Sequence, residues 1–279
     1  MAVASTFERV NSLDVLRLRA PDLRLYAVPA TGTGGRAGEA PVTVGVVRER
    51  LRARGETPYA LLNGAMFDLC AGNDYATTTC ERLQYRALDV RAGIDVAPSG
   101  PHAQAGGTVS VVNGRFVAAT GPRVAVGAVV AMQGYPLLVQ DGHNVADATV
   151  NRDANWRCAL VVFSELDGAF VTWRGGMHDF AEKLVQLGAR WAIYSDGGGS
   201  ARLMDAAGVW KGSSENRRVA SVWYAAAPAG SGAIIVRDAA GQVVSAQAPH
   251  STAQLPLWKK ALIGLGIIGL GGAVVASRR

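Results

Sequence analysis

The stretch WAIYSDGGGSARLM, residues 191–204, constrains this chain more than any other. Its apolar run is too short for a helix and reads as a buried strand. Asp196 then falls where the strand leaves its sheet, a position that holds a side chain rigidly at a cleft edge. Gly197, Gly198 and Gly199 follow. Without Cβ atoms they let the backbone bend sharply and approach a neighbour or ligand closely. Their N–H groups could converge into a nest for an anion, with Ser200 adding a hydroxyl. A tight loop capped by aspartate is the plainer alternative.

The remaining pattern is strand-rich. TVSVVNGRFVAATG places two β-rich runs around Asn113-Gly114, a type I′ hairpin signal. CALVVFSELDGAFVTW predicts a second hairpin turning at Asp167-Gly168. Two strands are expected in VAVGAVVAMQGYPLLVQDG, and extended segments broken near Pro21 in VLRLRAPDLRLYAVPA. Strands are also expected in YALLNG, RLQYRALDV, RVASVWYAAAP and GAIIVRDAAGQVVSA. Helices are expected in VTVGVVRERLRARG, which ends in glycine, and in MHDFAEKLVQLGA, with Phe180, Leu184 and Leu187 along one side. Residues 67–107 read as a long loop region. Regular strand–helix alternation is absent, so the fold class expected is α+β: a mixed, strand-rich twisted sheet with a few packed helices, plus a C-terminal apolar helix.

That last helix is read from PLWKKALIGLGIIGLGGAVVASRR. Residues 261–277 carry no charge and would span about 26 Å as a helix, near the lower limit for a bilayer. Trp258, Lys259 and Lys260 flank one end, Arg278 and Arg279 the other, as interfacial anchors do. The organisation expected is therefore a domain over 1–248, a linker over 249–258 and a transmembrane helix over 259–279. The lipid bilayer becomes a partner and the location membrane-associated, with the side undetermined. A buried or oligomer-packing helix is the alternative. Gly264, Gly266 and Gly269 spell GxGxxG, but no strand–helix–strand unit surrounds them, so no dinucleotide site is read. The first residues show no basic segment followed by an apolar one, hence no signal peptide.

Composition narrows the function. The net charge of +6 is spread along the chain, with a cluster at Arg48, Arg50, Arg52 and Arg54. No basic block interleaves with aromatics, so nucleic acid is an unlikely partner. Cys70, Cys80 and Cys158 form no disulfide framework, and the histidines have no zinc spacing. The reading requires no cofactor. Calcium has no support, because the acidic residues match no EF-hand loop.

Further polar residues sit at the ends of predicted strands. Asn63 ends YALLN, Gln133 and Gly134 end AVVAMQG, and Arg157 precedes CALVVF with a guanidinium suited to phosphate or carboxylate. The segments LLNGAMFD, GYPLLVQDG, RCALVVF, HDFAEKLVQLGARWAIYSDGGGSARL and ENRRVASVWYAA occur in this order. Together they resemble the phosphodiester glycosidase family over residues 58–226. The resemblance assigns Asn63, Gly64 and Phe67 to the family's asparagine-glycine-phenylalanine motif. It assigns Gly134, Pro136 and Leu138 to a glycine-proline-leucine element, with Tyr135 inserted. Arg157 falls in an arginine-threonine-alanine segment where Cys158 replaces the threonine, and Arg218 matches a late arginine. Asp179 stands where a glutamate is common, and Ala65 and Met66 replace a small residue and an aromatic.

The resemblance implies hydrolysis of a sugar-1-phosphodiester on its glycosidic side, with release of free sugar. The implied catalytic residues are Asp196, Asn63, Arg157 and Asp179. The implied substrate-binding residues are Gly197, Gly198, Gly199, Ser200, Gly134 and Arg218. Asp196 is the carboxylate at the anomeric carbon, as base, nucleophile or charge stabiliser. Arg157, the glycine amides and Arg218 hold the phosphate. Asp179, Asp68 and Asp141 are unranked candidates for a second carboxylate, and His178 for a proton donor. The alternatives are a non-catalytic domain binding a glycan or sugar phosphate, tethered to a membrane or viral particle, and a purely structural tethered protein.

Overall fold

The computed structural model describes residues 7–27, 42–64, 86–96, 104–149, 151–219 and 221–227, and the backbone of 234–237 and 243–247. Among them, β-branched and aromatic runs form strands that build three antiparallel sheets and a separate hairpin.

The largest sheet contains β1 (Glu8–Val10), β2 (Leu13–Arg19), β10 (Leu137–Gln140), β11 (His143–Asn144), β12 (Asn155–Val162), β13 (Asp167–Gly175) and β14 (Trp191–Gly197). Its order is β1-β2-β13-β12-β14-β10-β11. The second contains β3 (Leu23–Ala27), β4 (Pro58–Asn63), β15 (Arg202–Asp205), β16 (Trp210–Gly212) and β17 (Ser221–Ala226), in the order β16-β15-β4-β17-β3. The third contains β5 (Ala87–Asp89), β6 (Ile94–Val96), β7 (Gly107–Val112), β8 (Arg115–Thr120) and β9 (Val130–Gly134), in the order β6-β5-β9-β7-β8. The hairpin pairs β18 (Ile234–Arg237) with β19 (Val243–Gln247).

Among the described residues, two α-helices cover outer faces. Helix α1 (Val44–Ala53) starts at Thr43, whose hydroxyl accepts from Val46 N, and buries Val44, Val47 and Leu51 with Leu61 and Val222 of the second sheet. Helix α2 (Met177–Gln186) buries Met177, Phe180, Ala181 and Leu184 with Val139, Val161 and Val171 of the first. The third apolar cluster joins residues of all three sheets, including Leu16, Leu62, Met132, Phe170, Ile193 and Trp223. Its burial couples the sheets into one unit.

Several expectations need correction. The single mixed sheet is instead a set of curled sheets in which every pair among the described residues is antiparallel. The two strands expected around Gln133 are present as β9 and β10, joined through a cis Tyr135–Pro136 peptide, but β9 lies in the third sheet and β10 in the first. The second hairpin turns before Asp167, which already pairs with Arg19 of β2. Its turn is held instead by Ser164, whose hydroxyl accepts from Leu166 N and Asp167 N. The hairpin at Asn113-Gly114 is as expected, both residues having positive φ (49° and 73°).

The C-terminal membrane helix is also corrected. No helix among the described residues is long and apolar enough to cross a membrane, and both α-helices have ten residues. The stretch 259–279 lies outside the described residues. Nothing among the described residues supports the apolar tail helix, the bilayer partner at 261–277 or the membrane localisation.

Candidate active site

Strand β14 runs through the first sheet between β12 and β10 and carries Asp196 to its end. Ala192, Ile193 and Ser195 are fully buried, and Asp196 is 8% exposed. Burial pushes the Asp196 carboxyl up to about 6. The Ser200 hydroxyl, the Gly197 amide, the Asn63 side chain and the Arg217 charge each pull it part of the way back. Asp196 Oδ1 accepts from Gly197 N at 2.7 Å, and Ser200 Oγ donates to Gly197 O at 3.2 Å.

The three glycines are required for three reasons. Gly197 is extended, but a Cβ there would fall on the Tyr194 hydroxyl and 2.8 Å from the Trp156 carbonyl oxygen. Gly198 has φ +64°, in the left-handed region. Gly199 lies beneath the Arg217 guanidinium and the Glu215 carboxylate, which occupy the space of its absent Cβ. The expected nest is therefore a short 3-10 turn, Gly198–Ser200, packed under an arginine and a carboxylate.

Asn63 comes from the other side. It ends β4 in the second sheet and is fully buried. Its Oδ1 accepts from Arg202 N at 3.1 Å, which fixes the amide. Nδ2 has no hydrogen-bond partner in good geometry, yet the side chain favours the ionised form of Asp196. The amide thus lies close to the carboxylate without closing a normal hydrogen bond.

Arg157 lies opposite Gly197 across β12 and β14 and is 4% exposed. Its donors are spent on protein. Nε donates to Gly175 O, Nη1 to the Tyr194 hydroxyl, and Nη2 to Asn151 O, Asp153 O and Asp153 Oδ1. Asn151 O also accepts from Met177 N at the start of α2. Arg157 therefore ties β12, β13, the 151–153 loop and the floor of the glycine turn together. Tyr194 and Cys158 stand beside it, and burial pushes both up, Cys158 to about 12.

The other expected residues divide. Gly134 abuts β14, where a Cβ would collide with the Tyr194 carbonyl and sit 3.0 Å from Ile193 Cβ; it seats the third sheet against the strand bearing Asp196. Asp179 is on the first turn of α2 with its side chain 75% exposed, 4.0 Å from His178 Nδ1, and is not among the groups acting on Asp196. Asp141 is an exposed turn residue, and Asp68 lies outside the described residues, as do Phe67, Ala65 and Met66. Arg218 is exposed, whereas Arg217 is the arginine whose charge reaches Asp196.

Arg217 and Glu215, joined at 2.6 Å, are the residues that sequence reasoning passed over. A signal was present: Arg217 alternates with Val219, which is buried and bridges Val42. Among the described residues no three histidine, cysteine, aspartate or glutamate side chains gather into a metal site.

Residues 90–226 match the family model described as phosphodiester glycosidase. Asp196, Arg157, Gly134, Asp179 and Arg217 fall inside that span, and Asn63 precedes it. No curated protein matches the chain. Among solved structures, the catalytic domain of zebrafish N-acetylglucosamine-1-phosphodiester alpha-N-acetylglucosaminidase, auto-inhibited by its pro-peptide, is 16% identical, with a TM-score of 0.54 over 81% of this chain and 87% of that one. A hypothetical protein from Synechocystis is 14% identical, with a TM-score of 0.48 over 80% of this chain and 61% of that one. At 16% identity the zebrafish structure shows a shared fold. With the family model matching the segment that holds the glycine turn, residues 90–226 show distant homology to the phosphodiester glycosidase family.

Proposed function

We propose that the chain hydrolyses a sugar-1-phosphodiester at its glycosidic bond, releasing free sugar and a phosphomonoester. The observation that carries this reading is Asp196. It is a buried carboxylate held at the end of a central strand, raised to about 6, with a fixed amide and an arginine beside it. Perturbed carboxyls in such settings mark functional sites.

Above pH 6 Asp196 is ionised and stabilises positive charge growing at the anomeric carbon, as nucleophile or through water. The departing phosphate is a good leaving group and needs little protonation. Arg217, braced by Glu215 over Gly199, supplies the positive charge for it. Asn63 orients the carboxylate. Arg157 acts through Tyr194 and the loop, as a positioning residue. Glu215 is the second carboxylate at the turn, in the place expected of Asp179.

The test is sugar release from a panel of sugar-1-phosphodiesters by the native chain and by Asp196→Asn. Release by the native chain that largely vanishes in the variant supports the hydrolase. Binding of the same compounds without release by either chain favours a non-catalytic sugar-phosphate-binding domain.

A further inference from the structure

Where β1, β2 and β13 of the first sheet meet β16 of the second, the surface opens into a cleft of about 400 Å³. Its walls combine Trp156, Trp173 and Trp210 with Arg9, Arg174 and Lys211, and Ser12, Asp14 and Gly212 complete the lining. Three cationic side chains thus face one carboxylate, and Asp14 is already engaged by Arg9 at 3.6 Å. The Arg174 side chain is exposed and has no hydrogen-bond or ion-pair partner among the described residues. Lys211 packs over Phe7, its Nζ 5.8 Å from the ring centroid.

Trp210 is braced from behind. The Arg202 guanidinium lies 4.0 Å from its ring centroid and covers one face, yet the residue keeps 39% of its surface exposed. Trp156 is opposite Arg174 across β12 and β13, so their side chains share a face of the sheet. A flat, exposed indole beside an unpaired guanidinium suits a ligand with both an apolar ring face and an anion.

We propose that this cleft binds an anionic saccharide, stacking a sugar ring on Trp210 and Trp156 and holding its phosphate or carboxylate at Arg174 and Lys211. The cleft borders the glycine turn: the Trp156 carbonyl lies under Gly197, and Gly212 packs against Ala201. A glycan reaching Asp196 would extend into it. The ligand class follows from the walls alone, whereas its being part of the substrate rests on the hydrolase reading above.

The experiment uses glucose 6-phosphate, N-acetylglucosamine 6-phosphate and mannose 6-phosphate, which contain no phosphodiester and so report binding without turnover. Glucose and inorganic phosphate are the controls. Titration calorimetry on the full chain is expected to show at least one sugar phosphate binding about tenfold tighter than either control. Arg174→Ala, a surface change that leaves the core intact, lowers that affinity about fivefold or more. Trp210→Ala weakens sugar phosphate but not inorganic phosphate. The proposal is overturned if no sugar phosphate binds, if inorganic phosphate binds equally well, or if both variants bind as the native chain does. Sugar phosphates that bind in the cleft while phosphodiesters are never cleaved sink the hydrolase reading and keep the cleft. Cleavage that proceeds with kcat/KM unchanged in both variants, and without sugar phosphate binding, does the reverse.

Discussion

The Tyr194 hydroxyl stands in the space that a Cβ on Gly197 would need, and it is held there by Arg157. The glycine turn is therefore shaped from below by a tyrosine and an arginine as well as by its own backbone.

Gly197→Ala is expected to destabilise the fold by about 2–3 kcal/mol, the cost of overpacking a filled site. Tyr194→Phe in the same chain should recover only part of it, because the Trp156 carbonyl also blocks a Cβ, at 2.8 Å. Urea unfolding of the two single variants and the double variant measures the coupling. Strict additivity would show that the hydroxyl does not set the turn.

Asp196→Asn should stabilise the protein, but only above a threshold pH. The carboxyl rises from 3.8 to about 6 on folding, so its protonated form is favoured in the folded state. Its contribution is present in full below pH 4 and is lost as pH climbs through 6, a swing of about 3 kcal/mol. Asparagine has no charge to bury. Melting temperatures of native and variant chains should agree near pH 4 and diverge in the variant's favour at pH 7–8. A constant gap across that range would place the Asp196 carboxyl at an ordinary pKa.

If Asp196 works ionised, kcat/KM should rise with pH around an apparent pKa near 6. Asn63→Ala should move that rise to higher pH, because the amide favours the charged carboxylate. The same substitution exposes the Arg202 N–H to an empty site and should cost about 1–3 kcal/mol of stability. A pH–rate profile unmoved by the substitution would remove Asn63 from the site.

Arg157→Lys should behave as a structural lesion, losing about 2–4 kcal/mol. Lysine cannot reach Gly175 O, the Tyr194 hydroxyl and the 151–153 loop together. Denaturant melts should shift strongly while KM for a phosphodiester changes little. A large rise in KM with stability intact would return Arg157 to the role of phosphate ligand.

Cys158 should resist alkylation in the folded protein. It is fully buried, its thiol is pushed up to about 12, and its Sγ lies 3.4 Å from Thr172 Oγ1. Mass spectrometry after brief iodoacetamide treatment should find Cys158 unmodified, and labelled only after denaturation.

Much of the fold was legible where local chemistry decides it. Asn113-Gly114 dictates a tight hairpin, and Phe180 and Leu184 share a buried helix face. What escaped was set by distant partners. No local pattern tells that Gln133 and Leu137, four positions apart, belong to different sheets. At the candidate site, the strand end at Asp196 and the sharp turn after it were legible because an apolar run followed by three glycines dictates both locally. The arginine whose charge reaches Asp196 is Arg217, next to the Arg218 that the resemblance pointed to, and two adjacent arginines are chemically identical in sequence. Arg157 had the right residue type for an anion, but its donors are taken by carbonyls that only the folded chain brings near.

Asn63 closes β4 of one sheet, and Asp196 stands at the end of β14 of another. Neither sheet alone contains the pair. Long-range contacts of this kind form late, after most of the loop-closure entropy has been lost. A nascent or partly unfolded chain with either sheet intact would be chemically silent, so the appearance of the perturbed Asp196 carboxyl during refolding would mark the moment when the sheets dock.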